Sequence, residues 1–310
     1  MLGQNLTVGD RILSEQTLIP QVTEDGSFTF FSDEFQEKFH SQSGAKQESE
    51  GKFVLACQLA QKASQTDHMC LLDICYGLGY NTASALESIW LVNPQCRVTL
   101  IALELDLNIP RQAIAYHLLD QWADPISQWL KKLALEGRVE NPLLKAELLS
   151  GDARLTLQQV KSSAFKADAI FLDPFSPPKC PQLWTVEFLT LLVQSLAIDG
   201  RLATYSCAAS VRTALELAGL KFGAGVQVGK RSPGTVANFT GEDLPPISDQ
   251  EQEHLQTRAA IAYRDPDLQD SAETILERRK AEQAKSCLEP TSHWKKRWLC
   301  LKNETKKRGD

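Results

Sequence analysis

The stretch LLDICYGLGYNT, residues 71–82, reads as a single structural unit. An apolar run that starts at Met69 reaches a carboxyl group at Asp73. Gly77 and Gly79 then turn the chain, and Asn81 and Thr82 open a helical pattern that continues to Trp90. Glycine lets backbone amides approach a ligand closely, and a helix N-terminus adds unpaired N–H donors and the positive end of the helix dipole. A buried strand, a glycine turn and a helix in that order begin a parallel α/β sheet.

The pattern alternates outward from this unit. Residues 97–103, 146–149, 167–172, 200–206 and 222–228 read as strands, beside the first at 69–74. Residues 109–119, 122–137, 155–161, 183–196 and 211–217 read as helices. Short apolar strands alternating with helices describe a doubly wound α/β sheet, whose ligands lie beyond the carboxyl ends of the strands near the point where strand order reverses. Upstream, residues 18–23 and 27–32 flank the turn Glu24-Asp25-Gly26 as a hairpin. A polar, flexible passage follows (HSQSGAKQESEG, residues 40–51), then a helix over 51–61. After Gly241 the composition turns polar, with helical patterns at 248–262 and 270–285. Three parts are expected: a hairpin and flexible segment (1–50), the α/β domain (51–241) and a polar C-terminal extension with a basic tail (242–310).

The 310 residues are 43% hydrophobic and 23% charged, ordinary globular usage that excludes wholesale disorder. The longest nearly apolar stretch, 188–198, is far short of the ~20 residues a membrane helix needs. No basic region followed by an apolar one opens the chain, so the reading is a soluble, cytoplasmic protein. Its eight cysteines include no C-x-x-C pair and its five histidines are scattered, so neither a metal site nor a disulfide framework is expected. Net charge −6 argues against nonspecific coating of nucleic acid. Residues 278–310 nevertheless carry 11 Lys/Arg against 4 Asp/Glu. This tail is either a solvated end or a phosphate contact, and Trp294 and Trp298 would serve for stacking in the second case.

Four acidic positions at strand ends carry the chemistry. Asp73 precedes the glycine turn, where a pyrophosphate gains nothing from it. Thr82 stands where a dinucleotide fingerprint wants its third glycine, and Glu104 lies 25 residues past Gly79. S-adenosylmethionine (SAM), which has a cationic methionine end and no phosphate, suits the turn better. Glu104 in ALELD can accept two ribose hydroxyls, or serve as a salt bridge or cap. Asp152 in SGDARLTL can meet an adenine amino group, with Ala153 beside it, or simply cap the helix. Asp173 ends the strand in FLDPFSPPKCPQLW, before the prolines at 174, 177, 178 and 181. A carboxylate beside Phe175 is what an amine nucleophile needs: it orients the lone pair and stabilises developing positive charge, while the ring stacks on a planar base or covers a cation.

These segments, together with DGSFTFFSDEF–FHSQSGAKQE, resemble the methyltransferase component of the bacterial tRNA wobble-uridine modification enzyme MnmC in its stand-alone form. The specific match is the arrangement of Asp173, Phe175, Pro177, Lys179, Pro181 and Trp184; the glycine turn is common to many SAM enzymes. Cys75 replaces the first glycine of the usual turn, and Pro174 stands where the bifunctional enzyme tends to have glycine. The resemblance implies a Rossmann-like class I SAM-dependent methyltransferase fold. It implies methylation of the primary amine of 5-aminomethyl-(2-thio)uridine in tRNA, with SAM as donor. It places Asp73, Gly77, Gly79, Asn81, Glu104, Asp152, Ala153 and Glu48 at the cofactor, Asp173 at the reacting amine, and Phe175 and Lys179 at the tRNA, Lys179 on a phosphate. Glu48 would close over the SAM end, a surface salt bridge being its alternative. The bifunctional enzyme carries an FAD oxidase domain that first removes a carboxymethyl group; without a second nucleotide-binding turn, this sequence is expected to receive the aminomethyl intermediate. The competing classes are an N-methyltransferase for another amine, an NAD(P) oxidoreductase, and a non-catalytic binding protein.

Overall fold

Strands that are apolar at consecutive positions need cover on both faces, and the central sheet is built that way. The computed structural model describes residues 18–229 and 232–307, with side chains described through residue 300. Residues 1–11, read above for a leader, lie outside them, as do the side chains of Lys302, Lys306, Lys307 and Arg308.

Two short hairpins open the described chain. β1 (Gln21–Val22) pairs with β2 (Phe28–Thr29), and β3 (Phe31–Ser32) with β4 (Glu37–Lys38). The first was expected; the second was not. The passage at 40–51, expected to be flexible, enters α1 (Ala45–Ser49), a π-helical turn (Glu50–Leu55) and α2 (Leu59–Ala63). Asp25 explains the difference. Its carboxylate accepts from the Thr23 hydroxyl at 2.7 Å and the Ser27 amide at 3.0 Å, and its other oxygen accepts from the Gln47 amide at 3.0 Å. One acidic side chain thus fastens the first hairpin to the start of α1.

The central sheet has eight strands among the described residues. They are β5 (His68–Ile74), β6 (Arg97–Glu104), β7 (Arg138–Glu140), β8 (Leu144–Ser150), β9 (Ala167–Leu172), β10 (Leu196–Thr204), β11 (Lys221–Ala224) and β12 (Thr235–Asn238). Their spatial order is β11-β12-β10-β9-β5-β6-β8-β7; β10, β9, β5, β6 and β8 are parallel, β12 and β7 run against them, and β11 pairs antiparallel with β12. The chain leaves β5 toward β6 and β8, then returns to β9 on the other side, so strand order reverses between β5 and β9. The edge strand β7 and the inserted β12 were not expected. Both are short, and β12 is recruited by pairing with β10 and β11, which no local pattern announces.

Side-chain alternation sorts the core into two layers. Met69, Leu71, Ala169 and Phe171 face one buried cluster, which includes Phe53, Leu86 and Trp122. Leu72, Ile74, Ile170 and Leu172 face the other, which includes Trp184, Phe188 and Leu215. The first layer holds α3 (Tyr80–Val92), α4 (Asn108–Ala115) and α5 (Ile126–Glu136); the second holds α6 (Ala153–Ser162), α7 (Val186–Val193) and α8 (Ala209–Leu217). The helix expected at 183–196 is shorter because Leu196 already belongs to β10.

The C-terminal extension contributes α9 (Asp249–His254), α10 (Ala272–Lys285) and α11 (Thr291–Lys307). Ala262, Tyr263 and Ile275 join the second cluster, so this region adds to an existing core. Several of its charges are paired: the fully buried Asp265 meets Arg154 of α6 at 3.0 Å, and Arg278 meets Asp270 at 2.7 Å. Trp294 is only 7% exposed and stacks on His254 at 4.2 Å, so it is not open for stacking on RNA as the sequence suggested. Trp298 donates to Glu253 at 2.9 Å. No helix among the described residues is long and apolar enough to cross a membrane.

Candidate active site

Past Ile74 the chain turns sharply. The amides of Cys75 and Tyr76 both donate to the carbonyl of Leu103 at 3.0 Å. Cys75 has φ 67°, Gly77 φ 56° and Gly79 φ 86°. Cys75 therefore keeps the left-handed backbone that glycine adopts freely, at a cost of about 1–2 kcal/mol for an L-residue. Gly79 is needed for space as well: a Cβ there would lie 2.5 Å from the Tyr76 hydroxyl oxygen.

The acidic strand ends meet at this turn. Asp73 and Asp173 follow the same alternation as Leu71 and Phe171, so both carboxyl groups face the first turn of α3. Consecutive residues of that turn hold them: Thr82 Oγ1 donates to Asp73 at 2.7 Å, and Asn81 Nδ2 donates to Asp173 at 2.8 Å. The Asp173 amide donates to the Ile74 carbonyl at 3.1 Å, tying β9's exit to β5's. Glu104 accepts from the Gly77 amide at 2.8 Å and the Asp106 amide at 2.9 Å. Glu48 comes from α1, accepts from the Ser41 amide at 2.8 Å and pairs with Lys52 at 3.2 Å, both side chains being buried.

A cavity of about 840 Å³ opens over these groups. Glu48, Gly77, Glu104, Asp173 and Phe175 line it, together with Glu37, Asp106 and His40. One wall is aromatic: Phe175 stacks on Phe35 with centroids 4.3 Å apart, and meets Phe39 edge-on at 5.0 Å. The proline loop behind Phe175 is fixed at several points. Trp184 Nε1 donates to the Phe175 carbonyl at 2.9 Å, Tyr205 donates to the Pro174 carbonyl at 2.9 Å, and the Ser176 amide and hydroxyl both donate to Glu37. Phe35, Glu37, Phe39, His40 and Tyr205 were missed in the sequence. The aromatic run around Phe30 was the one local signal for the first of them.

Several expected residues are not part of the cavity lining. Asp152 caps α6 through the Arg154 amide at 2.9 Å and pairs with the Arg154 guanidinium at 2.7 Å, so the capping role is present. Ala153 is buried beside it. Asp73, Gly79 and Asn81 lie behind the cavity wall, and Lys179 is exposed on the proline loop.

Burial dominates the electrostatics. It pushes Asp73 up to about 7, against the Thr82 hydrogen bond and with a further rise from Glu104. Burial raises Asp173 well above the ordinary carboxylate range; Glu48 adds to the rise, and the Asn81 hydrogen bond opposes it. Glu104 is raised for the same first reason. His40 is pushed down to about 4 by burial, so a neutral imidazole stands in the wall. One oxygen of Asp73 is buried without a partner. Such a collection of desolvated carboxyl groups gains from a cationic ligand and repels a pyrophosphate. It fits the sulfonium and ammonium of SAM. Among the described residues no group of His, Cys, Asp or Glu could hold a metal ion.

Comparison with known proteins agrees with this geometry. Residues 116–240 match a family model described as S-adenosyl-L-methionine-dependent methyltransferase. A crystal structure of MNMC2 from Aquifex aeolicus is 33% identical, with a TM-score of 0.76 over 88% of this chain and 87% of that one. The tRNA 5-methylaminomethyl-2-thiouridine biosynthesis bifunctional protein MnmC of Aromatoleum aromaticum is 30% identical over 64% of this chain. The match spans 31% of that protein's length. An uncharacterized protein of Methanocaldococcus jannaschii is 28% identical over 85% of this chain and 72% of its own. By fold and sequence the chain belongs to the MnmC-like S-adenosyl-L-methionine-dependent methyltransferases.

Proposed function

We propose that the protein methylates the primary amine of 5-aminomethyl-(2-thio)uridine at the wobble position of tRNA, giving the 5-methylaminomethyl form. The observation that carries this reading is Asp173. Its carboxyl group opens into an acidic cavity, is oriented by Asn81, and stands two residues before an aromatic wall suited to a planar base. The kinship with proteins named for 5-methylaminomethyl-2-thiouridine biosynthesis supports the same substrate.

Bound SAM supplies an electrophilic methyl group on a cationic sulfur, which leaves with the bonding electron pair. Asp73, Gly77, Gly79 and Glu104 shape and charge the cofactor side, with Glu48 at its roof and Asp152 and Ala153 at the α6 end. Asn81 acts through Asp173 as a positioning residue. Asp173 accepts an amine N–H bond and turns the nitrogen lone pair toward the methyl group. A carboxyl raised by burial is also the better base for an incoming ammonium, which must lose a proton before it can attack. Phe175 stacks on the base, and Lys179 meets a phosphate. Of the three expected parts, the described residues from 18 to 50 cap the cavity, the α/β domain forms the catalytic unit, and the described part of the C-terminal extension braces it, with the exposed Lys295 and Lys296 as the tail's tRNA contacts.

The test is incubation with labelled SAM and tRNA from cells lacking this modification, followed by nucleoside analysis. Label is expected in the methylaminomethyl nucleoside. Asp173→Ala should abolish transfer, by about a thousandfold or more, while calorimetry shows SAM affinity within a few-fold. Unchanged turnover in that variant, or no label in tRNA, overturns the reading.

A further inference from the structure

Among the aromatic residues at the cavity that methyl transfer does not use is Phe35. Phe35 lies in the turn between β3 and β4, with its ring planes 16° from parallel to Phe175 and its centroid 4.3 Å away. That is the pose a planar nucleobase takes on an aromatic ring. Phe39 meets Phe175 at a steep 69° with centroids 5.0 Å apart, so the stacked partner of Phe175 is Phe35 and not Phe39. The hairpin is fastened to the proline loop at its base, where Glu37 accepts from the Ser176 amide at 3.0 Å and from its hydroxyl. Phe35 itself is half-buried, and its amide is held within its own hairpin by Ser32 Oγ at 3.2 Å.

We propose that Phe35 forms the second face of a slot for the target pyrimidine. The base enters between Phe35 and Phe175 and replaces their mutual stack, which brings its 5-substituent alongside Asp173. This rests on the RNA-base reading given above and deepens it: Phe35 is a substrate-binding residue that selects for a planar ring. Two stacked layers of carbon contacts need the rings roughly 7 Å apart. The turn must therefore open by about 3 Å while Glu37 keeps its base attached. The ligand gains two aromatic faces for the loss of one ring–ring contact, and an amine lacking a planar ring gains neither.

The experiment compares wild type, Phe35→Ala and Phe35→Tyr in two readouts. The first is steady-state methyl transfer to aminomethyl-bearing tRNA, with SAM affinity measured in parallel. Phe35→Ala should raise KM for tRNA about tenfold, with kcat at saturation within about twofold and SAM affinity unchanged; Phe35→Tyr should restore KM. The second is fluorescence of an anticodon stem-loop RNA carrying a fluorescent pyrimidine at the wobble position. Wild type should quench it by stacking, and Phe35→Ala should quench it less. An unchanged KM with unchanged quenching overturns the slot, and a lowered KM shows Phe35 to be a plug instead. Should wild type label no tRNA, the proposed function fails, and the quenching comparison still decides the slot.

Discussion

The floor of the cavity and the C-terminal extension are both rich in charge, yet they use it in opposite ways. In the extension, Asp265 meets Arg154 of α6, Arg278 and Arg297 each meet carboxylates, Arg279 lies over the Tyr263 ring at 4.3 Å, and Trp294 is stacked on His254. Behind the cavity wall, Asp73 keeps a buried oxygen without a partner, and among the described residues the Asp173 side chain accepts a hydrogen bond from Asn81 only. Groups that satisfy one another hold a fold together. Desolvated groups left partly unsatisfied cost stability and are useful only to a ligand. This contrast, more than the number of charges, separates structure from site.

The contrast can be broken, the largest effect first. Arg154→Ala leaves the fully buried Asp265 without its cation and should destabilise folding by about 3 kcal/mol, measured by denaturant unfolding. A loss below about 1 kcal/mol would show that the extension's pairing is not structural. Asn81→Ala should lower kcat by about tenfold or more while leaving KM for SAM within a few-fold, because it frees Asp173 to rotate. Equal losses in both would move Asn81 to the cofactor side.

A pH series sharpens the comparison. Asp73 has a raised pKa, so the folded protein without ligand holds a proton that the unfolded chain releases near pH 4. This group's contribution to stability therefore falls as pH rises from about 4 through about 7. SAM, as a cation, favours the ionised carboxyl, so its affinity should rise about tenfold between roughly pH 6 and 8, with proton release seen by calorimetry in two buffers. Asp73→Asn should flatten that slope; an unchanged slope would place the titration elsewhere. The smallest effect is expected in the tail, where Lys295→Glu with Lys296→Glu should weaken tRNA binding about threefold and reduce its salt dependence. Identical salt plots would leave the tail a solvated helix.

The parallel strands were legible because residues 69–74 and 167–172 are apolar on both faces, and the acidic strand ends because each follows such a run. Asp152 was legible as a helix cap for the same local reason. The cap over the cavity was not legible. Glu37 reaches Ser176 across 139 residues of sequence, and no periodicity encodes that meeting. The stacking role offered for Trp294 failed for a related reason: a tryptophan that packs on His254 and one that awaits RNA have the same neighbours in sequence.

Asn81 and Thr82 grip the acceptor-side and donor-side carboxyl groups from adjacent positions on a single helical turn. Positional errors in two separate loops would add. Here both groups share one mechanical datum, so a shift of α3 carries them together and their spacing survives. Breathing of the sheet edge is thereby filtered out of the one distance on which a group transfer depends most steeply.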